Sequence, residues 1–390
     1  MRGIFFVSLL VFSTGCSGVS ELNDTEIMTG AEQTERYLYM LKDKEIALVA
    51  NQSSLIGRTH LVDTLLASGI RIKKIFSPEH GFRGNSEAGA GIQDGKDETT
   101  GIRIISLYGQ SRKPPLSELE DIDLVLFDLQ DVGTRFYTYI STLHYVMEAC
   151  AEKGKTLIIL DRPNPNGDYI DGPVLEDGFR SFVGMHEIPV LHGMTIGEYA
   201  NMINGEGWLE GGIKCTLSVI ACRNYDHGMK YSLPVPPSPN LPDYQAVRLY
   251  PSLCFFEGTV VSIGRGTDFP FQVYGHPDFD STGFSFIPES RPGFSLHPKC
   301  EGIKCNGFDL REYPADPGQL SKLNLKWLIS AYTDYPDKEN FFIPYFDLLS
   351  GTDRLKEQIT TGWTEEEIRG SWQDGIQKFR EKRKKYLIYR

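Results

Sequence analysis

Hydrophobic and polar positions fall into a repeating alternation from about Ala31 onward. Short runs of β-branched and apolar residues, at Glu45–Ala50, Ile72–Phe76, Ile102–Leu107, Leu124–Leu129, Thr156–Leu160 and Thr216–Ala221, read as strands. Between them, Thr59–Ser68, Tyr137–Lys153 and Thr195–Asn204 carry the spacing of amphipathic helices. Apolar strands alternating with helices predict βα units and a mostly parallel sheet covered on both faces. The texture changes beyond Tyr225, where Pro234, Pro236, Pro237, Pro239 and Pro242 crowd one segment that cannot be a central strand or a helix interior. A second domain is expected there, with helices at Gln319–Thr333, Asp353–Thr360 and Glu365–Lys384 and a Gly/Pro-rich loop at Gly264–Pro277. The expected division is a leader over 1–16, a first domain over 30–225 and a second over 226–390.

In parallel sheets, ligands bind beyond the carboxyl ends of the strands. Those ends are unusually polar here: Asn51-Gln52-Ser53, Ser77-Pro78-Glu79-His80-Gly81, Tyr108-Gly109, Asp128-Leu129-Gln130-Asp131 and Asp161-Arg162-Pro163-Asn164. One rim of the sheet therefore gathers acids, amides and arginines.

Composition narrows the chemistry. A formal net charge of −12 over 390 residues argues against nucleic acid, which needs a basic footprint. Arg2, the apolar run Ile4–Phe12 and the small residues Ser13-Thr14-Gly15 before Cys16 have the layout of an export signal. The run is shorter than the roughly 20 residues that a spanning helix needs. A cysteine at that point fits a lipoprotein, acylated at Cys16 and exported to the periplasm or outer membrane; plain cleavage that discards Cys16 is the alternative. The remaining cysteines, Cys150, Cys215, Cys222, Cys254, Cys300 and Cys305, form no zinc spacing. They read as buried apolar side chains, with Cys300 and Cys305 close enough in sequence to pair.

No G-x-S-x-G, S-x-x-K or G-x-x-x-x-G-K-[ST] motif occurs, Gly205-Glu206-Gly207 follows a helix rather than a strand, and Pro189 interrupts the His186-Glu187…His192 run. Neither metal nor cofactor is expected. A carboxylate-rich rim with few histidines suits sugar chemistry, because glycoside hydrolysis needs a carboxylic acid beside the leaving oxygen and a second group at the anomeric carbon. Glu79 is the leading acid and Asp128 the candidate partner; a loop-capping Glu79 and a helix-capping Asp128 or Asp131 are the plain structural readings. Arg83, Arg135 and Arg265 are candidate readers of a substrate carboxylate. His80, Gln130, Asp131, Asp161, Arg162 and Asn240 complete the expected binding set.

These residues lie in longer motifs. Ser77-Pro78-Glu79-His80-Gly81-Phe82-Arg83-Gly84, Ser106–Gly109, Asp128–Tyr139, Asp161–Pro165, His192–Glu198, Pro237–Pro242 and Gly264–Thr267 with Pro270-Phe271 resemble, in order, the NamZ-type exo-β-N-acetylmuramidases. The resemblance implies a Rossmann-like domain, a smaller α/β C-terminal domain and a cleft between them. It also implies release of N-acetylmuramic acid from the non-reducing ends of peptidoglycan fragments, with Glu79 as the catalytic residue. The substrate partner is then a MurNAc-containing oligosaccharide, the membrane being met only through Cys16. The chain departs from the family pattern at Ile263, Asp268, Phe269 and Gln272, near the arginine motif. A non-catalytic muropeptide-binding lipoprotein is the alternative reading, and a nucleotide-dependent enzyme is disfavoured by the missing glycine fingerprint.

Overall fold

A computed structural model describes residues 26–83, 94–109, 111–314 and 316–389; the export segment, Cys16 and Gly84 lie outside them. Helix α1 (Leu38–Leu41) leads into β1 (Glu45–Ala50), the hairpin β2 (Leu55–Ile56) and β3 (Thr59–His60), α2 (Leu61–Ala67), β4 (Arg71–Ser77), β5 (Gly95–Lys96), β6 (Arg103–Ser106) and β7 (Leu124–Asp128). Next come α3 (Tyr139–Glu152), β8 (Thr156–Leu160), the antiparallel pair β9 (Asp171–Val174) and β10 (Pro189–Leu191), α4 (Ile196–Glu206) and β11 (Thr216–Ile220).

The main sheet has seven strands in the order β11-β8-β7-β1-β4-β6-β5. All neighbours are parallel except β5, which runs antiparallel to β6. Taken in chain order, its parallel strands lie as 3-2-1-4-5-6, the doubly wound Rossmann order. Alternation along each strand sorts the core into two faces. Ala47, Val49, Val125, Phe127, Leu157 and Ile159 pack toward α3 and α4, whereas Ile46, Leu48, Leu124, Leu126, Ile158 and Leu160 pack toward α1 and α2. Burial on both faces is why these strands read as continuous apolar runs.

The rest of the chain forms α5 (Tyr244–Leu253), a three-stranded antiparallel sheet of β12 (Val273–His276), β13 (Phe284–Phe286) and β14 (Cys305–Asp309), and helices α6 (Lys326–Asp334), α7 (Tyr345–Ser350), α8 (Arg354–Thr360), α9 (Glu365–Ser371) and α10 (Gln373–Arg383). Two expectations need correction. The helix read over Gln319–Thr333 begins only at Lys326, because the Leu323 backbone is drawn to side chains: its N–H donates to Asp171 and its carbonyl accepts from Arg369. The helix read over Glu365–Lys384 is two helices, broken at Trp372.

Arg135 fastens the two halves together. Its Nη1 donates to the carbonyls of Pro173 and Ile188, both at 2.8 Å, and its Nη2 to those of Leu349 (3.0 Å) and Ser350 (2.6 Å). The last two close α7, whose carbonyl end favours a cation. Burial pushes the guanidinium pKa down to about 9. The expected role in reading a substrate carboxylate is therefore corrected: Arg135 is fully buried, and both of its terminal nitrogens are spent on backbone carbonyls. Replacing it (Arg135→Met) leaves buried carbonyls without donors, each worth about 1–3 kcal/mol. Urea unfolding should show a loss of more than ~3 kcal/mol; a loss below ~1 kcal/mol would mean that the clamp is dispensable.

Candidate active site

Strand β4 delivers Glu79 two residues past its end. The chain then reverses sharply, with His80 at φ 72° and Gly81 at φ 77°. A left-handed histidine is a strained choice that glycine would avoid, and here it accompanies a side chain aimed into a cleft. That cleft, of about 470 Å³, is lined by Glu79, His80, Tyr108, Arg112, Thr138, Phe182, Glu257, Arg265, Phe271 and Tyr345, over an aromatic floor of Phe136, Tyr137 and Tyr250. The floor rings meet edge to face: Phe136 and Tyr250 lie 5.4 Å apart, Tyr137 and Tyr250 6.0 Å.

Two hydroxyls orient Glu79. Thr138 occupies the N-cap position of α3 without capping it, and its Oγ1 instead donates to Glu79 Oε2 at 2.7 Å. Tyr108, at the tip of β6, hydrogen-bonds the same carboxylate; burial first, then the charge of Glu79, hold the phenol above its ordinary pKa and keep it a donor. Across the cleft, Arg265 grips Glu257 with both arms, Nε to Oε1 at 2.6 Å and Nη2 to Oε2 at 3.2 Å, while its guanidinium lies 4.9 Å over the Phe271 ring. Burial alone would raise the Glu257 carboxyl, but the Arg265 charge and hydrogen bonds, with Lys299 behind, hold it below the usual carboxylate range. Lys299 is itself pushed down to about 8, chiefly by burial, and donates to the carbonyls of Phe256 and Glu257.

Models of the NamZ exo-β-N-acetylmuramidase family match almost the whole chain, the N-terminal model over residues 46–245 and the C-terminal model over 248–389. The chain belongs to this family. It is 37% identical to the peptidoglycan β-N-acetylmuramidase NamZ of Bacillus subtilis (strain 168), across 99% of this chain and 98% of that protein. Its fold matches crystal structures of two DUF1343 family proteins from Bacteroides fragilis NCTC 9343. The first has a TM-score of 0.87 and 44% identity over 94% of this chain and 99% of that one. The second has a TM-score of 0.79 and 28% identity over 94% and 100%.

Of the residues expected from the sequence, Glu79, His80 and Arg265 line the cleft of this NamZ-family chain. The others lie elsewhere. Asp128 is fully buried and locked to Arg162, with Nε to Oδ1 at 2.6 Å and Nη2 to Oδ2 at 2.8 Å, so both of its oxygens are committed; as a partner to Glu79 it is corrected. Gln130 donates to the carbonyls of Asp131 and Pro163. Asp161 accepts from Thr195, Tyr389 and the Gly197 N–H. Arg83 is paired with Asp97, outside the cleft lining. Asn240 donates to the Phe294 carbonyl just behind the cleft wall. The departures from the family pattern at Ile263, Asp268, Phe269 and Gln272 also stay out of the lining. Among the described residues, a grouping of acids close enough for a metal ion, Glu148, Glu152 and Glu210, lies away from the cleft, and Lys113 donates to the first two. Cys300 and Cys305, close enough in sequence to pair, are neighbouring free thiols.

Sequence reasoning missed Tyr108, Arg112, Thr138, Glu257 and Tyr345 as site residues. Tyr108 and Thr138 were visible inside motifs at strand tips; Arg112, Glu257 and Tyr345 stand in segments with no periodic signal.

Asp131 carries a testable pH dependence. Its Oδ2 accepts the Gly133 N–H at 2.6 Å, its Oδ1 is buried without a partner, and burial pushes the carboxyl up to about 7. An unfolded aspartate titrates near ~3.9, so between about pH 4 and pH 7 the native state holds a proton that the unfolded state has lost. This group's contribution to stability therefore falls as pH rises through that window and is flat above it. Asp131→Asn keeps an acceptor and removes the titration. Its stability relative to wild type, from urea unfolding, should rise by more than ~1 kcal/mol between about pH 5 and pH 8; a pH-independent difference would refute the assignment.

Proposed function

We propose that this chain is a glycoside hydrolase that releases N-acetylmuramic acid from the non-reducing ends of peptidoglycan fragments, with Glu79 as its general acid. The observation that carries the reading is identity across nearly the full length to a curated β-N-acetylmuramidase. The cleft supports it chemically: a half-buried carboxylate, oriented by hydroxyl donors, stands beside an aromatic floor of the kind on which sugar rings pack.

Glu79 gives its proton to the glycosidic oxygen as the C1–O bond breaks. The other carboxylate among the described lining residues, Glu257, has both oxygens held by Arg265. That commitment favours the substrate's own 2-acetamido oxygen as the nucleophile at C1, a recognised exception to the scheme with two carboxylates. Water then opens the cyclic oxazolinium, and its proton returns to the Glu79 carboxylate. Thr138 and Tyr108 hold that carboxylate in line throughout both steps.

The test compares Glu79→Gln with wild type on two substrates. General acid catalysis is commonly worth about 10²–10⁴-fold, so kcat/KM on a MurNAc–GlcNAc disaccharide should fall by that range. A nitrophenyl MurNAc glycoside, whose leaving group needs little protonation, should lose less than about tenfold in kcat/KM. Equal losses would remove Glu79 from the acid role, and absence of MurNAc release by wild type would overturn the hydrolase reading.

We further propose that the chain is exported and anchored by lipid at Cys16, to face the periplasm or lie at the outer membrane. Support comes from the Ile4–Phe12 run and the small residues before Cys16. Mass spectrometry of protein taken from its host should find an acylated N-terminal Cys16; an unmodified N-terminus beyond Cys16 would rule the anchor out.

A further inference from the structure

We propose that Arg112 determines the specificity of the cleft by binding the lactyl carboxylate on C3 of N-acetylmuramic acid, the group that N-acetylglucosamine lacks. This rests on the hydrolase reading above and adds to it the residue that tells the two sugars apart.

A cleft that prefers the anionic sugar needs a cation whose donors are available to it. Among the described residues, the arginines lining the cleft are Arg112 and Arg265. Arg265 is already neutralised by the two-armed grip on Glu257, so a substrate carboxylate there would compete with a bound one. Arg83 and Arg135 are spent on Asp97 and on backbone carbonyls. Arg112 differs from all three: it is exposed, it lines the cleft, and it makes no ion pair with any described residue.

Its setting is built for a planar anion. The guanidinium lies 4.3 Å over the ring of Phe182, and Phe182 is itself fixed by stacking on Tyr145 and by a hydrogen bond from Ser141 Oγ to its carbonyl at 2.7 Å. A guanidinium seated over a ring by cation–π attraction still has N–H donors to offer, and its fork matches a carboxylate with two parallel hydrogen bonds. Lysine has no such fork. Position also fits. The Phe182 ring lies 6.0 Å from Tyr108, whose hydroxyl bonds Glu79, and the Arg112 charge acts on that same phenol. C3 of a pyranose is two bonds from C1, so a sugar that offers its glycosidic oxygen to Glu79 carries its lactyl arm within a side chain's length of that contact.

The experiment uses the mature chain and the variants Arg112→Gln and Arg112→Lys, with nitrophenyl glycosides of MurNAc, of MurNAc methyl ester and of GlcNAc. A charged hydrogen-bonded contact is worth about tenfold or more in kcat/KM. Arg112→Gln should therefore lower the MurNAc/GlcNAc ratio of kcat/KM by at least about tenfold, mainly through KM, and should abolish the preference for MurNAc over its methyl ester. Arg112→Lys should restore part of the ratio. A ratio that Arg112→Gln leaves as in wild type would overturn the proposal even though MurNAc is still released. Calorimetric binding of free MurNAc and free GlcNAc to wild type and Arg112→Gln gives the same comparison without turnover. Failure of wild type to cleave any MurNAc glycoside would count against the hydrolase reading alone, and equal loss of MurNAc and GlcNAc binding would count against Arg112.

Discussion

The ion pair between Asp128 and Arg162 decides where this sheet can do chemistry. It lies at the carboxyl ends of β7 and β8, next to the point where strand order reverses between β1 and β7, the crevice in which sheets of this order usually hold a ligand. Here that crevice is filled. Arg162 also donates to the Leu55 carbonyl in the hairpin after β1, Ser54 donates to the Asp128 carbonyl, and Asn51 reaches Tyr139. Two buried charges are tolerable only because each satisfies the other, and removing either would leave an uncompensated charge costing about 3–5 kcal/mol. With the switch point closed, the cleft lies beside the tips of β4 and β6, which bring Glu79 and Tyr108 to its lining.

A cleft beside β4 and β6 needs a second wall, which the C-terminal half provides through contacts to backbone. Tyr137 donates to the Pro237 carbonyl at 2.9 Å, so the proline-rich crossing is held against the aromatic floor by a group that proline can still offer. Arg248 in α5 reaches the Pro165 carbonyl and Asp168. The chain's last described residue, Tyr389, returns to the first sheet and donates to Asp161 at 2.7 Å. The two halves are thus fixed at separate points around the cleft, and Glu257, Arg265 and Tyr345 face Glu79 from the second one.

Much of the first half was legible because parallel strands buried on both faces leave uninterrupted apolar runs, as in Leu124-Val125-Leu126-Phe127. Glu79 was singled out by its motif, Ser77 to Gly84, more than by polarity, because the equally polar tips at Asn51, Asp128 and Asp161 are tied into the scaffold. Arg135 and Asp128 misled for one reason: a charged residue at a rim looks the same in sequence whether it meets substrate, backbone carbonyls or another buried charge. Helix α5 was hidden by the prolines before it and by Pro251 within it. Arg112 sits in an irregular segment and Glu257 in a short 3-10 helix directly after α5, and neither stretch is long enough to leave a periodic trace.

Perturbed titration, often taken as a marker of function, is not confined to the cleft in this protein. Burial raises Asp131 to about 7 and Asp161 to about 6, and lowers His192 to about 3. All three are buried in the packing between the sheet and its connections, with partners in the scaffold. These shifts report the cost of placing polar groups in a dry interior, which the fold meets with backbone donors and neighbouring hydroxyls. The cleft works differently. Glu79 is half-buried in the cleft lining and held by the hydroxyls of Thr138 and Tyr108, and Glu257 across the cleft is tied to a cation. Perturbed titration thus belongs to the scaffold as well as to the cleft, and what separates Asp131 from the cleft carboxylates is geometry: which groups line one cavity, and which partners hold them there.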